Sequence, residues 1–266
     1  MATTTEQGSG NSRPVSTAKS YTSIQVVKAE IDKLISAHFS GTLGTIPEVT
    51  KYVLACVYKE STFNSKANSG IHGDSQLRRF LAYSAISSKM NNPATSEQEK
   101  ANMRNSVAGF GLMQATGWYL IKGAGPGGQN ELMRMRPDLA PQLIVEPGID
   151  INTKLGPGMI TNQLLVGLII LEDKFKVAPS LWANPTTQKK PYTDRISATF
   201  GGFLGKGTDK FGSTPQSYAS SIIHGEAYAR ANGTSSKVGF TNSDNNDKST
   251  AVASSASGNS LGPPGC

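Results

Sequence analysis

The sequence predicts a mainly α protein of the α+β kind: one helical domain with at most a small β-hairpin, flanked by irregular tails. Three observations predict it. Apolar residues recur at spacings of three and four in several stretches, the mark of helices buried along one face. No run alternates apolar and polar residues as half-buried strands do. And the polarity of this 266-residue chain, 37% hydrophobic and 17% charged, is concentrated at its two ends. Residues 1–22 are rich in Thr, Ser and Gly, and residues 233–266 are mostly Ser, Asn, Gly, Thr and Asp. Such segments bury too little apolar surface to offset chain entropy, so they are expected to be an arm and a low-complexity tail. Residues 23–232 remain for the domain, ample for a core.

The elements follow in order. Ile24, Val27, Ile31, Leu34, Ile35 and His38 share one helical face and predict a first helix. Thr45-Ile46-Pro47-Glu48 carries a capping Thr, an early Pro and a Glu three residues on, so a second helix is expected from there to about Glu60. Residues 75–108 read as a polar, partly helical stretch around Leu77, Phe80, Leu81 and Ile86. Gly109 to Gln114 is a tight, Gly-rich segment expected to lead into a helix through Trp118 and Leu120, and Gly123 to Gly128 is a loop. A long apolar helix is expected from Lys154 or Gly158 to Phe175, another over Ile196 to Phe203, and a last one over Pro215 to Ala231. The hairpin has room in residues 64–76 or 105–114.

Composition excludes several classes. The net charge of +7 is scattered, with no basic run longer than Arg78-Arg79 or Lys189-Lys190. It suits either a polyanionic partner or plain solubility. No basic motif with interleaved aromatics is present, so nucleic acid is not an expected partner. The most apolar stretch, Leu164 to Leu171, is far shorter than the ~20 residues that cross a bilayer, so no stable membrane insertion is expected. The opening residues lack the basic start and apolar run of a secretory signal. With only His38, His72 and His224, and no His-Glu-x-x-His spacing, no metal and no cofactor are expected. Gly201 to Thr208 has the glycines of a phosphate loop but Phe200 where the first glycine belongs and Gly207 after Lys206. Of the two cysteines, Cys56 sits in an apolar stripe and reads as a small buried hydrophobe.

One residue stands out. Ile46, Val49, Val53, Cys56 and Val57 form the stripe of the second helix, and its next position is Glu60. A carboxylate on a buried face is costly unless paired or protonated, and desolvation favours the protonated form. A carboxyl holding its proton at neutral pH is what a general acid needs. Spacing alone also allows the bland alternative, in which Glu60 ends the helix and turns to solvent.

The surrounding residues carry a resemblance. Glu60-Ser61-Thr62-Phe63-Asn64, followed by Ala67 and Ser69, resembles the E-S-x-F-N-x-x-A-x-S signature of lytic transglycosylases. Gly109-Phe110-Gly111-Leu112-Met113-Gln114 resembles their G-x-x-G-L-M-Q motif, most closely as goose-type lysozymes carry it. Ala198-Thr199-Phe200-Gly201-Gly202 sits where the family has an aromatic-Gly segment such as A-Y-N-A-G. Pro215-Gln216-Ser217-Tyr218, with Ile222 and Ile223, is similar to the family's last helix start. The four blocks keep family order over residues 45–231. Residues 75–108 then read as an insertion between the first two blocks, and Phe200-Gly201 depart from the usual Tyr and Asn.

The resemblance implies a lysozyme-like catalytic domain that cuts peptidoglycan between MurNAc and GlcNAc. Glu60 would be its catalytic acid and base. Ser61, Gly111, Leu112, Met113, Gln114, Phe200 and Tyr218 would be the substrate-binding set. Ser61 and Phe200 can equally be read as a helix-end hydroxyl and a core ring, and Met113 and Tyr218 as packing residues. Most glycosidases use two carboxylates. Lytic transglycosylases use one, the sugar's acetamido group and 6-hydroxyl replacing the second and giving a 1,6-anhydro product. Asp74 lies roughly where goose-type lysozymes carry a water-activating acid, while Ala115-Thr116 stand where a further acid would follow. The anhydro-forming reaction is therefore favoured, with an inverting hydrolase using Asp74, or an inactive structural protein on the same fold, as alternatives. A wall-cutting enzyme without an export signal suits a phage particle, its tails ordered on other virion proteins of the tail or injection apparatus.

Overall fold

The structure, a computed structural model, describes residues 21–71, 73–183, 194–205 and 212–234. The two expected tails lie almost wholly outside these residues, as does His72. Among the described residues the chain is mainly helical with one two-stranded sheet.

Helix α1 (Ile24–Leu34) runs directly into a π-turn over Ile35–Phe39. Val27, Ile31, Leu34, Ile35 and Phe39 are buried. Regular periodicity puts His38 on this face. The wider i→i+5 turn brings Phe39 inward instead and leaves His38 exposed. Helix α2 (Val49–Ser61) starts later than the Thr45 cap predicts. Leu43–Thr45 form a 3₁₀ turn, and Glu48 precedes α2 in the left-handed region at φ 57°. Its carboxylate pairs with Lys51 rather than capping, a charged partner displacing the backbone N–H. Val53 to Val57 are all buried, because α2 is covered by α1 and by two C-terminal helices described below.

The stretch of residues 75–108 is more ordered than its polarity suggests. It holds α3 (Asp74–Leu81), α4 (Ser84–Asn91) and α5 (Glu97–Asn105), anchored by the buried Phe80, Ile86 and Met103. A reciprocal capping box starts α5: the Ser96 hydroxyl accepts from the Glu99 N–H, and Glu99 accepts from the Ser96 N–H. Lys89 of α4 pairs with Glu99 at 2.9 Å, and with the cap bonds this holds the Glu99 carboxyl down at about 2.

Strands β1 (Gly109–Phe110) and β2 (Ala115–Thr116) form the hairpin, with Gly109 opposite Thr116 and Phe110 opposite Ala115. A 3₁₀ turn, Gly117–Leu120, follows where a helix was expected. After α6 (Glu131–Met135) and α7 (Asn152–Leu155) comes α8 (Ile160–Ala183), whose 24 residues span about 36 Å. It outruns the expected end at Phe175. Leu164 to Leu171, apart from Gly167, are buried hydrophobics, as befits a helix covered on every side. Among the described residues no helix is long and apolar enough to cross a membrane. Helix α9 (Arg195–Leu204) lies against α8, and the predicted last helix is two, α10 (Pro215–Ile223) and α11 (Glu226–Ala231), parted where Gly225 turns extended. α10 and α11 complete the cover over α2.

Candidate active site

Glu60 is the penultimate residue of α2, half-buried. The chain leaves the helix through two successive left-handed residues, Thr62 at φ 50° and Phe63 at φ 62°. Such backbone in β-branched and bulky residues costs of order 1–3 kcal/mol each and persists only where the surroundings enforce it. Here they do. The Thr62 N–H donates to Tyr58 O at 2.8 Å, Thr22 N–H donates to Phe63 O at 2.8 Å, and the Phe63 ring is fully buried. The sharp exit keeps Glu60 at the rim of the core.

From the opposite side α10 delivers Tyr218, 1% exposed, whose hydroxyl donates to Glu60 Oε1. Cys56, one turn before Glu60, has its Sγ 3.2 Å from the same hydroxyl oxygen. Because that oxygen's proton goes to Glu60, the thiol is the donor, and the three groups form a chain Cys56→Tyr218→Glu60. Burial first, then the neighbouring Cys56 and Glu60, raises the Tyr218 phenol well above its usual range. Burial likewise raises the Cys56 thiol. Both stay protonated: Tyr218 is a permanent donor and Cys56 is no nucleophile.

The hairpin is sewn to the segment after Glu60. The Gly111 N–H donates to Ala67 O at 2.9 Å, Ser69 N–H donates to Gly109 O at 3.1 Å, and Asn68 bridges Phe110. Gln114 turns left-handed at φ 48° and donates through Nε2 to Ala67 O at 3.0 Å and Gly111 O at 2.7 Å. Beneath lies Gln163 of α8, 1% exposed. Its Oε1 accepts from Leu112 N–H at 3.0 Å, and its Nε2 faces Ser65 O at 3.0 Å, Leu155 O at 2.8 Å and Gly156 O at 2.8 Å. One buried amide thus ties the post-Glu60 segment, the hairpin turn and the entry to α8. Gly111 must be glycine twice over, since it stands at φ 68° and a Cβ there would lie 2.3 Å from the Gln163 Cδ.

The predicted residues therefore divide. Tyr218 meets Glu60, and Gly111 and Gln114 are bonded to Ala67 in the segment that follows it. Leu112, Met113 and Phe200 are fully buried. Met113 packs on Gly167, and Phe200 meets the Tyr52 ring edge-on at 5.8 Å. These three side chains are spent on packing and offer a sugar no face. Ser61 donates its hydroxyl to Val57 O at 3.1 Å, so it serves its own helix. Asp74 is exposed in the first turn of α3, with no side-chain hydrogen bond or ion pair to the Glu60 cluster among the described residues. Sequence reasoning missed Gln163, although an amide opening an apolar helical run was a visible signal. It placed Cys56 correctly in the core but not its bond to Tyr218. Among the described residues no group of three or more His, Cys, Asp or Glu could hold a metal ion.

No family model and no curated protein matches the chain. A solved cellulase from Clostridium thermocellum is similar at a TM-score of 0.40 and 14% identity, over 78% of this chain and 74% of that one. A likeness that distant says nothing of substrate or reaction.

Proposed function

We propose that the protein is a glycan-cleaving enzyme acting on peptidoglycan, a lytic transglycosylase with Glu60 as its single acid and base. The observation that carries this is the hold on Glu60. A carboxyl at the core's rim is oriented by a fully buried tyrosine, itself oriented by a buried thiol, beside a turn whose strained backbone fixes its position. A helix-end carboxylate with no task needs none of this.

In the reaction, Glu60 gives its proton to the glycosidic oxygen as the bond to the MurNAc C1 breaks. The sugar's acetamido oxygen supports C1. The Glu60 carboxylate then takes the proton of the 6-hydroxyl, whose oxygen closes on C1 to give the 1,6-anhydro sugar. Tyr218 keeps the carboxyl in one orientation through both steps, and Gln114, bonded to the segment that follows Glu60, keeps Oε1 available for a sugar hydroxyl or amide. A phage particle that breaches the wall is the setting this reading favours, with other virion proteins as partners of the tails.

The test is mass spectrometry of soluble muropeptides from peptidoglycan treated with the protein or with Glu60→Gln. Anhydro-muropeptides from the parent, with a loss of about 10²–10⁴-fold in Glu60→Gln, support the reading. Reducing-end products would make it a hydrolase and Asp74 the next residue to replace. Equal turnover by both would exclude Glu60 as the acid.

A further inference from the structure

A pocket of about 340 Å³ opens next to the hairpin, between the post-Glu60 segment, helix α5 and the turn into α7. Its size is at the lower end of small-molecule sites, about 300–1,000 Å³. The floor is apolar and buried: Ala108, Phe110 and Ile151 are each at most 5% exposed. The walls are mostly amides, with Ile71, Ser106 and a single carboxylate, Asp150. Phe110 and Asn68 pair where the hairpin meets the segment after Glu60, so the pocket borders that junction.

The wall atoms are only partly committed. Asn68 Oδ1 accepts from Gly70 N–H at 2.8 Å, and Asp150 Oδ1 accepts from Asn152 N–H and Nδ2 at 3.0 Å. Among the described residues, Asn68 Nδ2, Asp150 Oδ2 and the whole Asn105 side chain have no protein partner. These atoms alternate donors with acceptors. A set of that kind matches hydroxyls and amides, which both give and take hydrogen bonds. No Lys or Arg lines the pocket, so it has no anchor for phosphate or for the carboxylates of an acidic peptide.

We propose that this pocket is an accessory carbohydrate subsite for a neutral N-acetylated hexosamine, walled on one side by helix α5. The acetamido methyl packs on the Phe110–Ile151 floor, its amide meets Asn105 and Asn68, and ring hydroxyls donate to Asp150. The proposal takes the identity of the polymer from the glycan-cleaving reading, but binding at the pocket is separable from cleavage.

The probe is free N-acetylglucosamine, with glucose as control, titrated into the full chain while the Asn side-chain NH₂ resonances are followed by ¹⁵N NMR. N-acetylglucosamine is expected to shift those of Asn68 and Asn105, glucose to shift them little, and Asn105→Ala to weaken binding about tenfold. Asn105 is exposed at the end of α5, so this variant keeps the fold. Shifts confined to residues around Gln114, equal shifts with glucose, undiminished binding by Asn105→Ala, or stronger shifts with an acidic stem tripeptide would each overturn the subsite. Binding here without cleavage of peptidoglycan would sink the activity and leave the subsite standing, and cleavage without binding here would do the reverse.

Discussion

Replacing Gln163 by Leu tests whether one amide organises the site. The two side chains have similar volume, so the change removes hydrogen bonds and leaves no large cavity. Leu112 N–H loses its acceptor, and a buried orphan donor costs about 1–3 kcal/mol. Ser65 O and Leu155 O lose the Nε2 donor, while Gly156 O keeps the Met159 N–H at 3.0 Å. Adding about 0.5 kcal/mol for each carbonyl that loses this donor brings the total to about 2–4 kcal/mol. That is a large part of the ~5–15 kcal/mol by which domains are stable. In urea, the midpoint should fall with the slope unchanged, and Tm should drop by about 4–16 °C. Gln163→Glu is the sharper comparison. It keeps an acceptor for Leu112 but points a carboxylate at three carbonyls, so it should be worse than Leu. A loss below about 1 kcal/mol for Leu, or a Glu variant as stable as the parent, would refute the reasoning.

Three further predictions are independent of it. Tyr218→Phe keeps the ring and removes the hydroxyl that joins Cys56 to Glu60; kcat on peptidoglycan should fall about ten- to hundredfold with KM little changed, because orientation of the acid matters most in the transition state. Alkaline stability should fall steeply. The folded Cys56 and Tyr218 keep protons that the unfolded chain sheds above about pH 9 and 10, so stability present below those values is lost as pH rises, each group contributing up to about 1.4 kcal/mol per pH unit; urea titrations should find the slope of Cys56→Val smaller by one proton. Glu172, 3% exposed, holds Arg136 and Lys176 at 3.1 Å each and accepts from Thr42 Oγ1 at 2.7 Å. Since Arg136 keeps Asp138, Glu172→Gln should cost about 3 kcal/mol, the low end for a broken buried pair, read as a shift in the urea midpoint.

The helices were legible because burial imposes period on sequence. Ile24 to Ile35 and Val49 to Val57 show it plainly, and those elements appear where the period puts them. The boundaries were less so, because local rules compete. At Thr45 to Glu48 the capping pattern is complete in sequence, yet Lys51 takes the Glu48 carboxylate and the helix starts at Val49. His38 fits a 3.6-residue period that the π-turn abandons. Residues 75–108 read as polar and only partly helical because their buried anchors, Phe80, Ile86 and Met103, are too sparse to make a continuous face.

The candidate site divides along the same line. Glu60 could be found because a carboxylate continuing an apolar stripe is an electrostatic anomaly that sequence displays directly. Gln163 breaks the same rule at the head of α8, but an amide is neutral, and its place can be understood only once the distant Ser65 carbonyl and those of Leu155 and Gly156 are seen to converge on it. Leu112 and Met113 show the converse. Their motif implies contact with substrate, and the structure turns both into the core, Met113 close enough to Gly167 that a Cβ there would lie 2.2 Å from its sulfur. A Gly-Leu-Met-Gln turn so buried does its work through backbone and packing. It fixes where Gln114 stands and where the segment after Glu60 runs, so replacing its apolar members should perturb the geometry of the acid before it perturbs affinity for glycan.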